Sequence, residues 1–486
     1  MTDRSHPRFE GRHLARDTLI YGVGTSASQL LYVALLPIFT RIFSPADFGA
    51  LDFLITVNGL LVTVAMLGMN SALFFFVNRA GGPADRRRIA GTVVVITAVS
   101  GAAIALVGVT LSDAITEPLL QSGTYVLALA MTFLWVPASL TTTLGLDLLR
   151  LEGRPVAFTV IASARAVLAA VIGVLAATIG GLGLAGLLAA HAGISLLAAA
   201  TALLITRRSW SVAFATPIAG RLLRFGLPLV PAALALWVVT YSDRFLIIQL
   251  LGIDAAGVYA LAARGAAVVT LAVFAFEAAW WPFAFASARR PGHQAAYART
   301  FAGVAFALVA LATFLSLFAR EALLVLATGE YIEGYVLVGT LALAAAAFGL
   351  SPILAIGLQL ADRTRAFALV AILCAIINVA LNLMLIPILG TAGSAIATLI
   401  ASLVYVAALF VVGRRAYPVP FPIGRVALTM LAAAVVMLGG LLIDSRATPT
   451  SWEPSGAVAK AALFVAAGGV ALAILRPALR RPPAEQ

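Results

Sequence analysis

Long apolar runs alternate with short polar connections along nearly the whole chain of 486 residues. Most of these runs extend over about 18–25 residues, which is the length of an α-helix that crosses the hydrocarbon core of a bilayer. The short segments of alternating hydrophobicity that mark a transmembrane β-barrel do not occur in the sequence. The pattern therefore predicts an all-α polytopic membrane protein.

The runs define fourteen predicted transmembrane helices. Ser44 and Pro45 place an N-cap and a first-turn proline before the second helix. Gly180-Gly181 and residues 387–390 mark tight turns between helices. The first run is too long for the core of a signal peptide, so we interpret it as an uncleaved span. The approximate limits are 14–40, 48–78, 89–112, 124–146, 156–179, 183–205, 222–250, 256–286, 300–318, 335–358, 366–387, 391–412, 424–443 and 457–475.

The composition supports a membrane protein and gives no sign of an enzyme. Hydrophobic residues make up 62% of the chain and charged residues 11%, with a mean hydropathy of +1.05. The single cysteine, Cys374, excludes a disulfide within the chain. The longest connections hold about fifteen residues, too few for a soluble catalytic domain. No glycine-rich phosphate loop, metal-ligand cluster or nucleophile triad stands out, so we predict a non-enzymatic protein without cofactor or metal.

The basic residues are distributed very unequally between the two sets of connections. Counted alternately from the N-terminus, one set holds 25 arginines, whereas the other holds Arg41, Arg320, Arg446 and Lys460. Because cytoplasmic loops carry an excess of basic residues, this distribution predicts fourteen spans with both termini in the cytoplasm. It also explains the net charge of +12 without a nucleic-acid partner.

Two short sequence patterns recur at almost the same offset. GLAGLLAA at 183–190 aligns with GTAGSAIA 207 residues later, and IFSPADFGALDF at 42–53 aligns with LLGIDAAGVYAL 208 residues later. The agreement predicts two six-helix halves, 1–206 and 207–415, followed by two additional helices and a cytoplasmic tail in 416–486. Halves of six helices share one orientation, which predicts a pseudo-two-fold axis along the membrane normal and a cavity between the halves.

Ionisable residues within the predicted spans are candidates for functional sites. They are Arg165, Asp243, Arg244, Arg264 and Glu277, with Asp52 near the end of a span. Neighbouring residues of a helix point about 100° apart, so we expect Asp243 and Arg244 to need separate partners. Asp243 and Arg264 lie at equal depth in one hairpin, which predicts a structural ion pair between them. A role for Asp243 in proton or ion coupling is the alternative, and Arg244 is left without a named partner.

The remaining charged candidates each allow two interpretations. Arg165 lies near the predicted bilayer midplane, where it either contacts an anionic substrate or makes a structural bond. Glu277 is next to Trp280 and Trp281, so it belongs either to an interfacial belt or to a proton-linked site. Arg41 on the predicted outer side either meets an emerging anionic group or reaches lipid headgroups.

Three segments resemble bacterial polysaccharide flippases of the O-antigen type. LPIFTRIFSPADFG at 36–49 is similar to their first hairpin, and SDRFLIIQLLGIDAAGVYALAAR at 242–264 is similar to their seventh and eighth spans. LQLADRTRAFALVAILCAIINVALNLMLIPILGTAGSAIATLIASLV at 358–404 is similar to their C-terminal region. These flippases belong to the multidrug/oligosaccharidyl-lipid/polysaccharide exporter superfamily.

The resemblance implies that the protein moves a polyprenyl-pyrophosphate-linked oligosaccharide across the inner membrane by alternating access. The implied pathway makes a cell-surface polysaccharide such as lipopolysaccharide, with glycosyltransferases or a glycan polymerase as partners. Arginine suits phosphate through its planar donor fork, so Arg165, Arg244, Arg264 and Arg41 are the candidate substrate contacts. An ion-coupled multidrug exporter of the same superfamily, which would favour an acidic cavity, is one alternative. A membrane-embedded polysaccharide polymerase or ligase, which usually needs an extramembrane domain, is another.

Overall fold

The computed structural model describes residues 34–212, 214–288, 291–361, 363–446 and 453–479. Within these ranges the regular structure is helical, and thirteen helical segments are long and apolar enough to cross a membrane. They correspond to predicted spans two to fourteen, so the prediction of a polytopic α-helical membrane protein is confirmed. The first predicted span, 14–40, lies mostly outside the described residues.

The N-terminal part of the chain contains seven described helices. The second predicted span is divided into α2 and α3 by Leu67 and Gly68, whose φ angles are 50° and 71°. These left-handed residues end one helix before the next begins. The helices are α1 (Leu36–Ile42), α2 (Pro45–Ala65), α3 (Met69–Val77), α4 (Pro83–Leu120), α5 (Val126–Leu151), α6 (Pro155–Thr178) and α7 (Gly183–Ile205).

The C-terminal part begins with a short amphipathic helix, α8 (Thr216–Gly226), that leads into the next span. A 3₁₀ segment, Gly329–Gly334, precedes a span that is divided into α13 and α14. The remaining helices are α9 (Val230–Leu251), α10 (Ile253–Ser287), α11 (His293–Leu317), α12 (Ala319–Leu326), α13 (Tyr335–Phe348), α14 (Ser351–Leu360), α15 (Thr364–Leu389), α16 (Thr391–Ala416), α17 (Ile423–Asp444) and α18 (Pro454–Leu479).

The helix cap and the tight turn that were predicted from the sequence are present in the structure. The Ser44 side chain accepts a hydrogen bond from the backbone N–H of Asp47 at 3.2 Å, and the Asp47 carboxylate accepts one from the Ser44 N–H at 3.4 Å. Pro45 follows at the first helical position, where its missing N–H costs nothing. Gly390, with φ of 63°, makes the tight turn between α15 and α16. These local signals fix where α2 and α16 begin.

Helices α2 and α10 pack together more closely than side chains would allow. A Cβ atom on Gly49 would overlap the carbonyl oxygen of Ile253, and one on Gly257 would overlap that of Pro45. Helix α2 also contacts α9, while α17 and α18 pack against α11. The α2–α10 contact therefore joins the segments that the sequence repeat assigns to different halves, although the division at residues 206 and 415 stays a prediction.

Candidate functional site

Charged side chains from α2, α9 and α10 meet inside the helix bundle. The Asp52 carboxylate of α2 accepts hydrogen bonds from Arg264 Nη2 at 2.8 Å and from Arg244 Nε at 3.3 Å. Arg264 belongs to α10 and Arg244 to α9, so one carboxylate connects three helices. We call Asp52, Asp243, Arg244, Tyr259 and Arg264 the charge cluster.

Asp243 holds Arg244 in place within the charge cluster. Its Oδ1 atom accepts hydrogen bonds from Arg244 Nη1 at 2.7 Å and from the Arg244 backbone N–H at 2.9 Å. Its Oδ2 atom accepts a hydrogen bond from the Tyr259 hydroxyl at 2.6 Å. Three donors to one carboxylate that is only 4% exposed satisfy most of its hydrogen-bonding capacity.

Two expectations about this region are wrong. Arg264 forms its ion pair with Asp52, and the ion pairs of Asp243 within the described residues do not include Arg264. Arg244 and Asp243 are bonded to each other despite being neighbours in sequence. The flexible arginine side chain curves back along the helix, so the angle between adjacent Cβ atoms does not decide where the guanidinium group lies.

The charge cluster remains partly accessible and is electrically balanced. The exposed fractions of the Arg244, Arg264 and Asp52 side chains are 15%, 20% and 12%. Two guanidinium groups face two carboxylates, with the Tyr259 hydroxyl as an additional donor. Counted from Pro45 and Ile253, Asp52 and Arg264 lie roughly 10 and 16 Å along helices that are long and apolar enough to cross a membrane. Charges at such depth are tolerated because they neutralise one another.

The other predicted site residues lie outside the charge cluster. Arg165 is half-buried on α6, a helix that contributes no member of the cluster. Arg41 is exposed at the end of α1, where its Nη1 donates to the Pro37 carbonyl at 2.6 Å. Glu277 is half-buried on α10, and within the described ranges it forms no ion pair. Within the described residues, these three side chains are therefore not members of the charge cluster.

A second buried charge network was missed in the sequence. Lys460 Nζ donates to both Glu321 carboxylate oxygens, at 2.7 and 2.9 Å, and lies 2.5 Å from Asp444 Oδ1. Arg320 Nη1 lies 3.7 Å from the same Asp444 atom. The Lys460 and Arg320 side chains are 1% and 3% exposed, so these two charges, which the sequence pattern assigned to the outer connections, are buried between helices. A lysine within an apolar run was the available signal. We call these four residues the α12–α18 network.

The family of the chain follows from its sequence. A family model described as polysaccharide biosynthesis protein matches residues 14–287, more than half of the chain. The chain belongs to this family of polysaccharide biosynthesis proteins. No curated protein is significantly similar to it in sequence.

Solved structures share the fold of this family member at low sequence identity. A lipid II flippase MurJ in an inward closed conformation has a TM-score of 0.70 and 14% identity, with 95% of this chain and 100% of that chain covered. An inward-facing multidrug resistance MATE transporter of the MOP superfamily has a TM-score of 0.65 and 17% identity, with 80% and 94% covered. An outward-facing MATE transporter structure has a TM-score of 0.60 and 17% identity, with 83% of this chain and 95% of that chain covered. The fold is thus that of flippases and transporters.

Proposed function

We propose that the protein is a flippase that moves a polyprenyl-pyrophosphate-linked oligosaccharide from the cytoplasmic to the outer leaflet of the inner membrane. The family of polysaccharide biosynthesis proteins and the fold shared with a lipid II flippase support a lipid-linked substrate. The observation that carries the proposal is the pair Arg244 and Arg264, which two helices hold against one carboxylate inside the bundle.

The chemistry of the substrate explains why paired arginines are useful. A sugar–pyrophosphate head is too polar to cross hydrocarbon alone, so it needs a wet, cationic path while its tail stays in lipid. Guanidinium groups bind phosphate oxygens through parallel, charge-assisted hydrogen bonds. Arg244 and Arg264 remain 15% and 20% exposed, which leaves donor atoms for a ligand. We therefore assign these two residues to the pyrophosphate.

The other predicted residues receive subsidiary roles in the same proposal. Arg165 provides a further cationic contact on α6, and Arg41 meets the head where it leaves the bundle. Asp243 positions Arg244, which the three donors to its carboxylate favour over an ion-coupling role. Glu277 remains the candidate for proton linkage because it is half-buried without an ion pair in the described residues. Both termini lie in the cytoplasm, and glycosyltransferases or a glycan polymerase act before and after this step.

Transport in reconstituted vesicles tests the proposal. Vesicles that contain the protein receive a polyprenyl-pyrophosphate oligosaccharide in one leaflet, and its arrival in the other is followed with a membrane-impermeant glycosidase. We expect transport by the native chain, a loss of about tenfold or more for Arg244→Gln or Arg264→Gln, since charge-assisted contacts are lost, and normal transport for Arg208→Gln at an exposed connection. Export of a cationic drug without glycan transport would instead identify a multidrug exporter. Elongation or transfer of the glycan would identify a polymerase or ligase.

A further inference from the structure

The bundle is closed at the end where α2 and α10 begin. Besides the backbone contact between Gly49 and Gly257, Gln249 donates hydrogen bonds to two carbonyl groups at the end of α4, both at 3.1 Å. The Tyr331 hydroxyl donates to the Phe43 carbonyl at 2.8 Å. Each contact joins a residue before position 206 to one after it. Opening this end therefore requires the two parts of the chain to separate here.

Asp52 lies one turn deeper than this closed end, three residues after Gly49. It is the member of the charge cluster that α2 supplies, whereas Asp243, Arg244 and Arg264 come from α9 and α10. Withdrawal of α2 breaks both Asp52 ion pairs. The bond between Asp243 and Arg244 lies within α9 and survives the same movement.

We propose, resting on the flippase function above, that Asp52 forms an ionic lock that the substrate opens. In the closed bundle the Asp52 carboxylate accepts from one donor nitrogen of each arginine, Nε of Arg244 and Nη2 of Arg264. The pyrophosphate group of the substrate replaces this carboxylate, and α2 is then released from α9 and α10. In this proposal the Asp52 carboxylate binds the two arginines at the position that the substrate phosphate takes later.

Electrostatics make the lock depend on substrate. Without the Asp52 carboxylate, Arg264 loses this ion pair and Arg244 keeps Asp243, so one positive charge of the cluster is left uncompensated inside the membrane, at a high cost. The empty carrier therefore stays closed at this end. Pyrophosphate has more negative charge and more acceptor oxygens than one carboxylate, and it fits the arginine fork. Because it binds the arginines only after Asp52 has left, it has the differential affinity for the open state that a conformational shift requires.

The access of a thiol next to the charge cluster reports on the lock. Ala260→Cys introduces this thiol on α10 between Gly257 and Arg264, at a position that is 1% exposed. Cys374→Ser removes the native thiol and keeps a donor for the Ala401 carbonyl. The chain that carries both substitutions, Ala260→Cys and Cys374→Ser, is called the parent. It is reconstituted in lipid nanodiscs and labelled with a charged maleimide. The added ligands are undecaprenyl pyrophosphate and, as the matched control, undecaprenol, which lacks the pyrophosphate.

We expect the parent to be labelled slowly without ligand. Undecaprenyl pyrophosphate is expected to make labelling about tenfold faster, which corresponds to a moderate population shift. Undecaprenol is expected to leave the labelling rate unchanged. Asp52→Asn is expected to label fast without ligand and to gain little from it. Asp52→Glu keeps the charge and is expected to behave like the parent. Asp243→Asn removes a carboxylate of the same cluster without touching α2, so its labelling is expected to stay slow.

The inference is overturned if Asp52→Asn elutes as a folded protein and labels as slowly as the parent, or if Asp243→Asn labels as fast as Asp52→Asn. If the native chain transports the lipid-linked glycan in either case, the flippase function stands and only the lock is wrong. If transport is absent and undecaprenyl pyrophosphate leaves labelling of the parent unchanged, the flippase function fails, and release by substrate fails with it.

Discussion

Gly49 and Gly257 face each other across the α2–α10 contact, and they are also equivalent positions of the sequence repeat, 208 residues apart. A two-fold axis between these helices would bring equivalent residues together in this way. The repeat predicts in addition that superposition of α2–α7 on the corresponding later helices brings Gly183 onto Gly390. A superposition that relates the halves by an axis in the membrane plane would contradict it.

Alanine at either glycine is expected to weaken the closed end. Gly49→Ala and Gly257→Ala each place a Cβ against backbone of the other helix, which has no flexible side chain to move away. We expect a loss of about 1–3 kcal/mol of stability from overpacking, measured by thermal unfolding in detergent. Gly265→Ala on α10 is the control, because its Cβ would lie 3.6 Å from the nearest Val338 methyl group. Equal unfolding temperatures for all three variants would contradict the close contact.

A double-mutant cycle between Asp52 and Arg264 tests the ion pair that the structure places across α2 and α10. Asp52→Asn and Arg264→Gln each leave the partner's charge without this bond, and the double variant removes both charges. We expect the changes in unfolding free energy to be coupled by about 0.5–3 kcal/mol. The matched cycle pairs Asp243→Asn with Arg264→Gln, and its coupling is expected to be smaller. A larger coupling energy between Asp243 and Arg264 than between Asp52 and Arg264 would favour the Asp243–Arg264 pair that was predicted from depth alone.

The α12–α18 network is expected to hold the last two helices to the bundle. Lys460→Met leaves the Glu321 and Asp444 carboxylates facing each other without their shared cation, at an expected cost of about 3–5 kcal/mol. Adding Glu321→Gln leaves Arg320 paired with Asp444 and is expected to recover much of this loss. Thermal unfolding in detergent measures both variants. A double variant that is no more stable than Lys460→Met would show that the charges are not the cause.

The unequal distribution of basic residues predicts the orientation of the protein in the membrane. Reporter fusions after Gln486 are expected to lie in the cytoplasm and those within 445–454 on the outer side. Paired reporters active in the cytoplasm and in the periplasm measure both positions. Any other combination contradicts the predicted orientation.

Most of the helix positions were predictable from the sequence, because they depend on interactions between residues close together along the chain. A membrane span needs a long apolar run, so spans two to fourteen matched helical segments of the structure. The start of α2 followed from Ser44 and Pro45, because the capping interactions involve residues within one turn. The turn at Gly390 followed for the same reason.

The partners within the charge cluster were not predictable in this way. Position along a hairpin gives the depth of Asp243 and Arg264 but not the direction in which each side chain points around its helix. The partner of Arg264 is Asp52, about two hundred residues earlier, and only the packing of α2 against α10 brings them together. Counting charges in connections likewise overlooked that Lys460 is buried by helices far away in sequence.

Lysine in place of either arginine separates the requirement for charge from the requirement for a planar donor fork. Arg244→Lys and Arg264→Lys keep a positive charge beside Asp52, so the protein is expected to fold normally and its α2–α10 end to stay closed. An ammonium group is a point charge and does not bind phosphate through two parallel donors. We therefore expect transport of the pyrophosphate-linked glycan to fall by about tenfold, comparable to one lost charge-assisted hydrogen bond. Transport and unfolding temperature are measured on the same preparations. If both lysine variants transport at the native rate, charge alone suffices and the arginines are not the phosphate fork.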